Sequence, residues 1–295
     1  MRIAVTGLKG QVVSAIVEAG AAHGHDILTL GRPGLDLADP ASVKTAIAAA
    51  NPDAIISAAA YTAVDKAESE ADLAHVVNGA GAGAVAEAAA AIDVPVVHIS
   101  TDYVFDGSKQ SPYIETDMPN PLGVYGASKL AGECLVAAAT DNHAIVRVAW
   151  VFSPFGNNFV KTMLRLAEAR DELGVVADQF GGPTSAHDIA QALIAVAGHL
   201  ADNSDSRLRG IFHLPPTGET TWADFAIEIF RAAREKGGKG ANVRRLATAD
   251  YPTAAMRPAN SRLNGQKIAD IHGIVLPDWR LSLDACLDRL RQVQV

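Results

Sequence analysis

The sequence predicts an α/β protein with a doubly wound parallel sheet and a smaller C-terminal α/β lobe, and three observations predict this fold. Short β-branched runs alternate with alanine-rich helical stretches through the first half of the chain. Apolar runs such as AIIS and PVVHIS are typical of parallel strands that are buried on both faces. The first strand runs directly into a glycine-containing turn and a helix.

The elements follow in order from these patterns. Strands are predicted at residues 2–6, 26–30, 54–57, 95–100 and 143–149, and helices at 11–22, 40–50, 71–91 and 124–139. The pattern then changes to a helix at 159–170, a strand at 174–177, a loop at 178–184, a helix at 186–199 and a strand at 210–214 that can return to the main sheet. A helix begins at the TTW sequence, and we predict an irregular, proline-bearing segment after it.

Composition and charge restrict the class of protein. The chain has 295 residues with 25 Lys+Arg and 33 Asp+Glu, and its basic residues do not form a continuous run. Nucleic acid is therefore not an expected partner. No apolar run is long enough for a membrane span, and we predict a cytoplasmic protein that does not contact membranes. Cys134 and Cys286 are isolated, as expected of structural thiols rather than metal ligands.

The first turn predicts a dinucleotide site. Gly7 and Gly10 stand between strand and helix, where bare backbone N–H groups and the positive helix end can meet a pyrophosphate. The full fingerprint has a third glycine at position 13, where this chain has Val13, so an ordinary tight turn is an alternative. We predict a dinucleotide-binding domain of residues 1–150 plus about 181–214, and a substrate-binding lobe of about 151–180 plus 215–295.

The second and third strands indicate how the rest of the cofactor would bind. The second strand ends at Arg32 without an acid, which favours the 2′-phosphate of NADPH, although Arg32 could be a solvated charge and NADH stays open. Asp36 and Leu37 are candidates to hold the adenine. The third strand leads into Ala59, Ala60 and Tyr61, where small residues would let a cofactor lie across the sheet edge or would simply pack.

Three residues form a candidate catalytic set. Tyr125 and Lys129 are four apart in a predicted helix, so both project from one face. We expect the nearby ammonium and the nicotinamide to make the phenol more acidic, although this spacing alone also fits a surface helix. Thr101 follows the fourth strand at the edge where such sheets bind ligands, and a hydroxyl there can polarise a carbonyl. With the glycine turn this is the pattern of short-chain dehydrogenases/reductases, in which Thr101 orients the carbonyl, Tyr125 donates the proton and Lys129 assists it electrostatically.

Longer strings carry a more specific resemblance over nearly the whole chain. They are AAAYTAVDKAES (58–69), STDYVFDG (100–107), GVYGASKLAGE (123–133), GNNFVKTMLRLA (156–167), DQFGGPT (178–184), TTWADFA (220–226), RPANSRLN (257–264) and LPDW (276–279). Together they resemble the dTDP-4-dehydrorhamnose reductase family of extended short-chain dehydrogenases/reductases. The resemblance implies a Rossmann-like fold and NADPH-dependent reduction of the C4 ketone of dTDP-4-dehydro-L-rhamnose to dTDP-L-rhamnose.

The resemblance also implies roles for residues at matching positions. Together with the turn and strand-end positions above, it gives the full set of predicted cofactor residues, which are Gly7, Gly10, Gln11, Val12, Arg32, Asp36, Leu37, Ala59, Ala60, Tyr61, Ser100, Tyr125 and Lys129. The predicted substrate residues are Val64, Asp65, Tyr103, Trp150, Asn158 and Arg257, for a dTDP-4-keto-6-deoxy sugar. Some relatives hold magnesium through glutamates, but the corresponding positions here are Ala15 and His187, so we predict no metal. A homodimer is left open.

Two other functions are compatible with this fold. A nucleotide-sugar dehydratase or epimerase would regenerate its nicotinamide in each cycle. Dehydratases have two consecutive acids after the active threonine, whereas here Asp102 is followed by Tyr103. A non-catalytic regulatory subunit need not keep the three catalytic residues, all of which this chain has.

Overall fold

The computed structural model describes residues 1–292. Twelve strands run in the order β1 Arg2–Thr6, β2 Asp26–Leu30, β3 Ala54–Ser57, β4 Val96–Thr101, β5 His143–Val148, β6 Val151–Phe152, β7 Glu172–Val176, β8 Phe180–Gly181, β9 Thr184–Ser185, β10 Gly210–His213, β11 Thr220–Thr221 and β12 Asn242–Leu246. The α-helices are α1 Gln11–Ala22, α2 Pro40–Ala50, α3 Val64–Ala67, α4 Ala71–His75, α5 Gly81–Ala91, α6 Val124–Ala139, α7 Phe159–Ala167, α8 Ala186–Asp202, α9 Trp222–Glu235, α10 Gln266–His272 and α11 Trp279–Gln292.

Six parallel strands form the main sheet, in the order β10-β5-β4-β3-β1-β2. One face is covered mainly by α1 and α8, and the other mainly by α2, α5 and α6. The strand order reverses next to β1, so a crevice opens at the carboxyl ends of β1 and its neighbours. The predicted doubly wound parallel sheet is therefore confirmed, and β10 does return to it.

A second core lies beyond the main sheet. It is formed by apolar side chains of α7, α9 and α11, with β7 and β12 paired in parallel beside them. Helix α9 buries Ala226, Ile229 and Phe230 on one stripe, and the Thr221 hydroxyl caps its start by accepting the Asp224 N–H at 3.1 Å. Ile268 and Leu276 pack instead into the main core. The division into two domains stays a prediction.

Several predicted elements differ from the structure. The single helix predicted at 71–91 is interrupted by a π-helical segment, Val76–Ala80, in which the Asn78 side chain bonds the backbone of Tyr61 and the hydroxyl of Ser128. The segment after α9 is not irregular, because it contains β12, α10 and α11. Among residues 1–292, no helix is both long and apolar enough to cross a membrane.

Candidate active site

A cavity of about 610 Å³ lies at the carboxyl ends of the central strands. Its walls come from the turn after β1, the ends of β3, β4 and β5, the first two turns of α6, and the loop before α7. Of the predicted site residues, it is lined by Gly7, Gly10, Gln11, Val12, Ala59, Ala60, Val64, Ser100, Thr101, Tyr103, Tyr125, Lys129, Trp150 and Asn158. The fold thus brings most of the predicted cofactor, catalytic and substrate residues to one cleft.

The glycine turn provides a backbone-lined end of this cavity. Gly7 has a φ of +107°, which favours glycine, and a Cβ on Gly10 would meet no atom within 4 Å. The first N–H groups of α1 have no side-chain cap, so they can bind an anion in the open space beside Gly10. Val13 is 4% exposed, and its Cγ2 lies 3.1 Å from the Cβ position that Gly7 lacks. Glycine at position 7 therefore makes room for valine at position 13.

The side chain of Gln11 joins the glycine turn to the loop before α7. Its amide oxygen accepts hydrogen bonds from the Ser153 hydroxyl at 2.8 Å and from Asn158 Nδ2 at 2.9 Å. Asn158 also caps α7 by accepting the Lys161 N–H. Gln11 and Asn158 thus join the start of α1 to the start of α7 while both line the cavity.

The predicted adenine-end residues lie outside the lining of this cavity. Arg32 is exposed beyond β2, and the Asp36 carboxylate accepts the Ala38 N–H at 3.0 Å. Leu37 is buried against α5, close to Gly81. Tyr61 donates its hydroxyl to Glu70 at 2.7 Å. The roles of these residues stay predictions.

The three candidate catalytic side chains converge. Tyr125 and Lys129 occupy successive turns of α6, and Thr101 ends β4. Burial raises the pKa of Tyr125, and the Thr101 hydroxyl acts in the opposite direction. All three side chains line the same cavity.

Lys129 lines the cavity and is almost completely buried. Its Nζ donates to the Ile99 carbonyl at 2.7 Å and to His98 Nε2 at 3.2 Å. Burial holds the pKa of His98 well below its usual range, so the ring is neutral and its Nδ1–H donates to the Ser57 hydroxyl at 3.1 Å. An ammonium has three N–H donors, so one hydrogen of Lys129 remains for a ligand in the cavity.

The protonation states differ from the sequence-based expectation. Burial raises the pKa of Tyr125 to about 12. The expectation that the nearby ammonium makes the phenol more acidic is therefore wrong for the protein without a bound nicotinamide. Burial also lowers the pKa of Lys129 to about 8, with the negative charge of Glu133 acting in the opposite direction. Near neutral pH the phenol is therefore protonated, which is the state a proton donor needs.

Two buried carboxylates support this site and were not among the predicted residues. Asp102 Oδ1 accepts the Thr101 hydroxyl at 3.1 Å, and burial raises the pKa of Asp102 to about 6. Glu133 accepts the Ser100 hydroxyl at 2.5 Å and is paired with Arg147. A sequence signal for Glu133 existed, because it follows Lys129 by four residues and continues the face of α6 that carries Tyr125.

The predicted substrate residues form two groups. Val64, Tyr103, Trp150 and Asn158 line the cavity, and the ring of Tyr103 meets that of Tyr125 edge to face at 5.5 Å between centroids. Asp65 and Arg257 lie outside this lining and form an ion pair at 2.8 Å. Burial raises the pKa of Tyr103, and the positive charge of Arg257 acts in the opposite direction.

Ala15 and His187, the two positions compared above with magnesium ligands of some relatives, lie in different surroundings. Ala15 is fully buried in the main core, whereas His187 lies within 3.2 Å of Glu18 and also contacts Arg289. Within the described part of the chain, no group of three or more His, Cys, Asp or Glu side chains is arranged to hold a metal ion.

Comparison with known proteins identifies the family. A sequence model of the RmlD substrate binding domain matches residues 1–292. The chain belongs to this family. A protein from Sinorhizobium fredii named dTDP-4-dehydrorhamnose reductase is 53% identical over 282 residues, which are 96% of this chain and 95% of that protein. The family expected from the sequence strings is confirmed.

Solved structures of the same family match nearly the whole chain. The crystal structure of a dTDP-4-dehydrorhamnose reductase from Clostridium acetobutylicum has a TM-score of 0.91 and 36% identity, covering 99% of this chain and 100% of that one. A dTDP-4-dehydrorhamnose reductase from Bacillus anthracis, solved in complex with NADP, has a TM-score of 0.90 and 36% identity, covering 98% and 99%. The predicted oxidoreductase class and the NADP-type cofactor are consistent with this family.

Proposed function

We propose that this chain reduces the C4 ketone of dTDP-4-dehydro-L-rhamnose to dTDP-L-rhamnose, with NADPH as reductant and Tyr125 as proton donor. The observation that carries the proposal is the convergence of Thr101, Tyr125 and Lys129 on the cavity that begins at the glycine turn. The names of the relatives supply the sugar nucleotide and the cofactor.

The residues at the first turn fit a dinucleotide. The open space beside Gly10 and the uncapped N–H groups of α1 would hold the pyrophosphate, and the free hydrogen of Lys129 would bind a ribose hydroxyl. Arg32 is our candidate for the 2′-phosphate, with Asp36 and Leu37 toward the adenine. We assign the cofactor's path across the sheet edge to a stretch lined by Ala59, Ala60 and Tyr61. NADPH supplies a hydride to the carbonyl carbon when it is bound.

The side chains supply the proton and the charge stabilisation. The Thr101 hydroxyl, which donates to Asp102 in this structure, would turn to donate to the substrate carbonyl. The protonated phenol of Tyr125 donates its proton to the developing alkoxide. The Lys129 ammonium stabilises the phenolate that this transfer leaves behind. One hydride on carbon and one proton on oxygen convert the ketone to an alcohol.

The proposed substrate pocket is formed by predicted substrate residues that line the cavity and by the Arg257–Asp65 ion pair outside its lining. We assign Val64, Tyr103 and Trp150 to the sugar, and Asn158 with the Arg257–Asp65 pair to the nucleotide diphosphate. A guanidinium suits phosphate oxygens because it donates in a planar fork.

The experiment follows NADPH absorbance with dTDP-4-dehydro-L-rhamnose as substrate. We expect one NADPH consumed per sugar reduced, and we expect Tyr125→Phe to lose most of the turnover with nearly unchanged NADPH affinity. Tyr251→Phe, at an exposed tyrosine, is the matched control. Conversion of the sugar nucleotide without net oxidation would instead indicate an epimerase or dehydratase. Wild-type turnover in Tyr125→Phe would contradict the proton-donor assignment.

Three further expectations stay proposals. We infer a cytoplasmic enzyme, and a homodimer is testable by light scattering at several protein concentrations. The two-domain division at residues 1–150 plus about 181–214, against about 151–180 plus 215–295, is testable by limited proteolysis with and without NADPH.

A further inference from the structure

Trp150 occupies an unusual backbone conformation at the cavity wall. Its φ is +47°, in the left-handed region that bulky side chains rarely adopt. Its carbonyl accepts the Thr184 N–H at 3.2 Å, where β6 pairs with β9. A conformation of this kind persists only when the surrounding structure fixes it, and such positions cluster at ligand sites.

The indole of Trp150 is covered on both faces. One face stacks on Trp222, with 3.7 Å between ring centroids and 12° between planes. On the other side, a Cβ on Gly181 would lie 2.4 Å from Cε2, 2.6 Å from Cζ2 and 2.9 Å from Cδ2 of Trp150. Those three atoms belong to the fused ring system, so the Gly181 backbone lies over the ring face opposite Trp222.

The two covering residues are joined by a short pair of strands. Gly181 lies on β8 and pairs with Thr220 on β11, one residue pair away from the start of α9, where Trp222 stands. Trp222 is supported in turn by Phe159 of α7, at 4.6 Å between ring centroids. The short β8–β11 pair therefore sets the width of the slot into which the indole fits.

We propose that Gly181 and Trp222 are positioning residues that clamp Trp150, and that the clamp sets the shape of the sugar side of the active site. Held on both faces, the indole presents its edge to the cavity that contains Tyr125 and Thr101. Neither clamp residue lines that cavity, so both act through Trp150. The inference rests on the proposed function, because it concerns the sugar substrate.

Two substitutions disturb the position of the Trp150 indole, one on each of its faces. Trp222→Leu removes the stacked ring, and we expect the KM for the sugar nucleotide to rise about two- to tenfold. This is the change in an equilibrium constant that corresponds to the free energy of one aromatic stacking contact. Gly181→Ala places a methyl group where the indole lies, so we expect a larger rise in KM. In both variants kcat and the Kd of NADPH should stay within about twofold of wild type, because the catalytic and cofactor residues keep their contacts.

The controls separate clamping from general stability. Trp222→Phe keeps an aromatic face and should restore most of the KM. Gly198→Ala, at a helical glycine whose added Cβ would meet only Met1 Cε at 4.0 Å, should change nothing. The near-UV circular dichroism of the stacked indoles should decrease in Trp222→Leu and remain in Gly198→Ala.

The proposal is overturned if the near-UV circular dichroism shows that the indole stacking has changed and the KM for the sugar nucleotide nevertheless stays within twofold of wild type in both Trp222→Leu and Gly181→Ala. Parallel losses of kcat, NADPH affinity and melting temperature would overturn it also, because they indicate a merely structural role. Failure of wild type to reduce dTDP-4-dehydro-L-rhamnose would contradict the proposed function instead. The variant-to-wild-type ratio would then be measured with whichever dTDP-linked 4-keto sugar wild type reduces.

Discussion

The Arg147 guanidinium donates two hydrogen bonds to the Glu133 carboxylate, from Nε at 2.8 Å and from Nη2 at 2.6 Å. Both side chains are almost completely buried. The pair joins β5 to the catalytic face of α6, and the same carboxylate holds the Ser100 hydroxyl at the end of β4. This ion pair therefore fixes the strand ends against the helix that carries Tyr125.

Removing one partner of this pair should destabilise the protein strongly. We expect Arg147→Met to lower the free energy of unfolding by roughly 3–5 kcal/mol, because it leaves the Glu133 carboxylate buried without its countercharge. Urea denaturation measures the change. Arg231→Met, at an exposed arginine in two surface ion pairs, is the control and should have a much smaller effect. A double variant, Arg147→Met with Glu133→Leu, should recover part of the loss, and no recovery would contradict the role of the unpaired charge.

The charge of Glu133 should also set the pH dependence of turnover. Lys129 loses its proton as the pH rises through about 8, so we expect kcat/KM to decline above that pH. Glu133→Gln removes the negative charge that raises the pKa of Lys129, so the decline should move to lower pH. The pH–rate profile measures this shift, with Glu87→Gln on the surface of α5 as control. If kcat/KM declines at the same pH in Glu133→Gln as in wild type, the charge of Glu133 does not affect the pKa of Lys129.

Asp102 should make stability depend on pH in the acid range. Its folded pKa of about 6 lies above the unfolded value of 3.8, so the folded state binds more protons between these values, and stability falls as the pH rises from about 4 to about 6. Asp102→Asn should therefore stabilise the protein at pH 7 by roughly 2–3 kcal/mol, the equivalent of this pKa difference. The gain should disappear below pH 4, where the carboxyl is protonated in both states.

Thermal unfolding from pH 4 to pH 7 tests this linkage. The exposed Asp202→Asn variant is the control. A constant difference between Asp102→Asn and wild type across that range would show that the carboxyl does not titrate as expected.

Arg32 should discriminate between the two nicotinamide cofactors. If its guanidinium binds the 2′-phosphate, Arg32→Ala should weaken NADPH binding about tenfold or more and leave NADH binding nearly unchanged, as expected for a charge-assisted hydrogen bond. Fluorescence titration of both cofactors measures this, with Lys44→Ala on α2 as control. Equal losses for NADPH and NADH would remove Arg32 from the phosphate site.

The sequence predicts best those elements whose signal is local. The bounds of β1, β2 and β3 and of α1, α2 and α6 agree with the prediction, because β-branched runs, capping residues and helical periodicity lie within each segment. The break at Val76–Ala80 has no such local signal, since it depends on Asn78 bonding Tyr61 and Ser128 from distant segments. Strand β12 was missed because its sequence, NVRRL, is charged and exposed, and only its pairing with β7 makes it a strand.

For the active site, the sequence by itself determined which groups could react. The four-residue spacing of Tyr125 and Lys129, the hydroxyl of Thr101 at a strand end and the glycine turn are all properties of short segments. The tertiary structure decided the protonation state of the phenol, because burial by several elements raises the pKa of Tyr125 to about 12. It alone also placed Trp150 between Gly181 and Trp222, since desolvation and packing depend on residues that are distant in sequence.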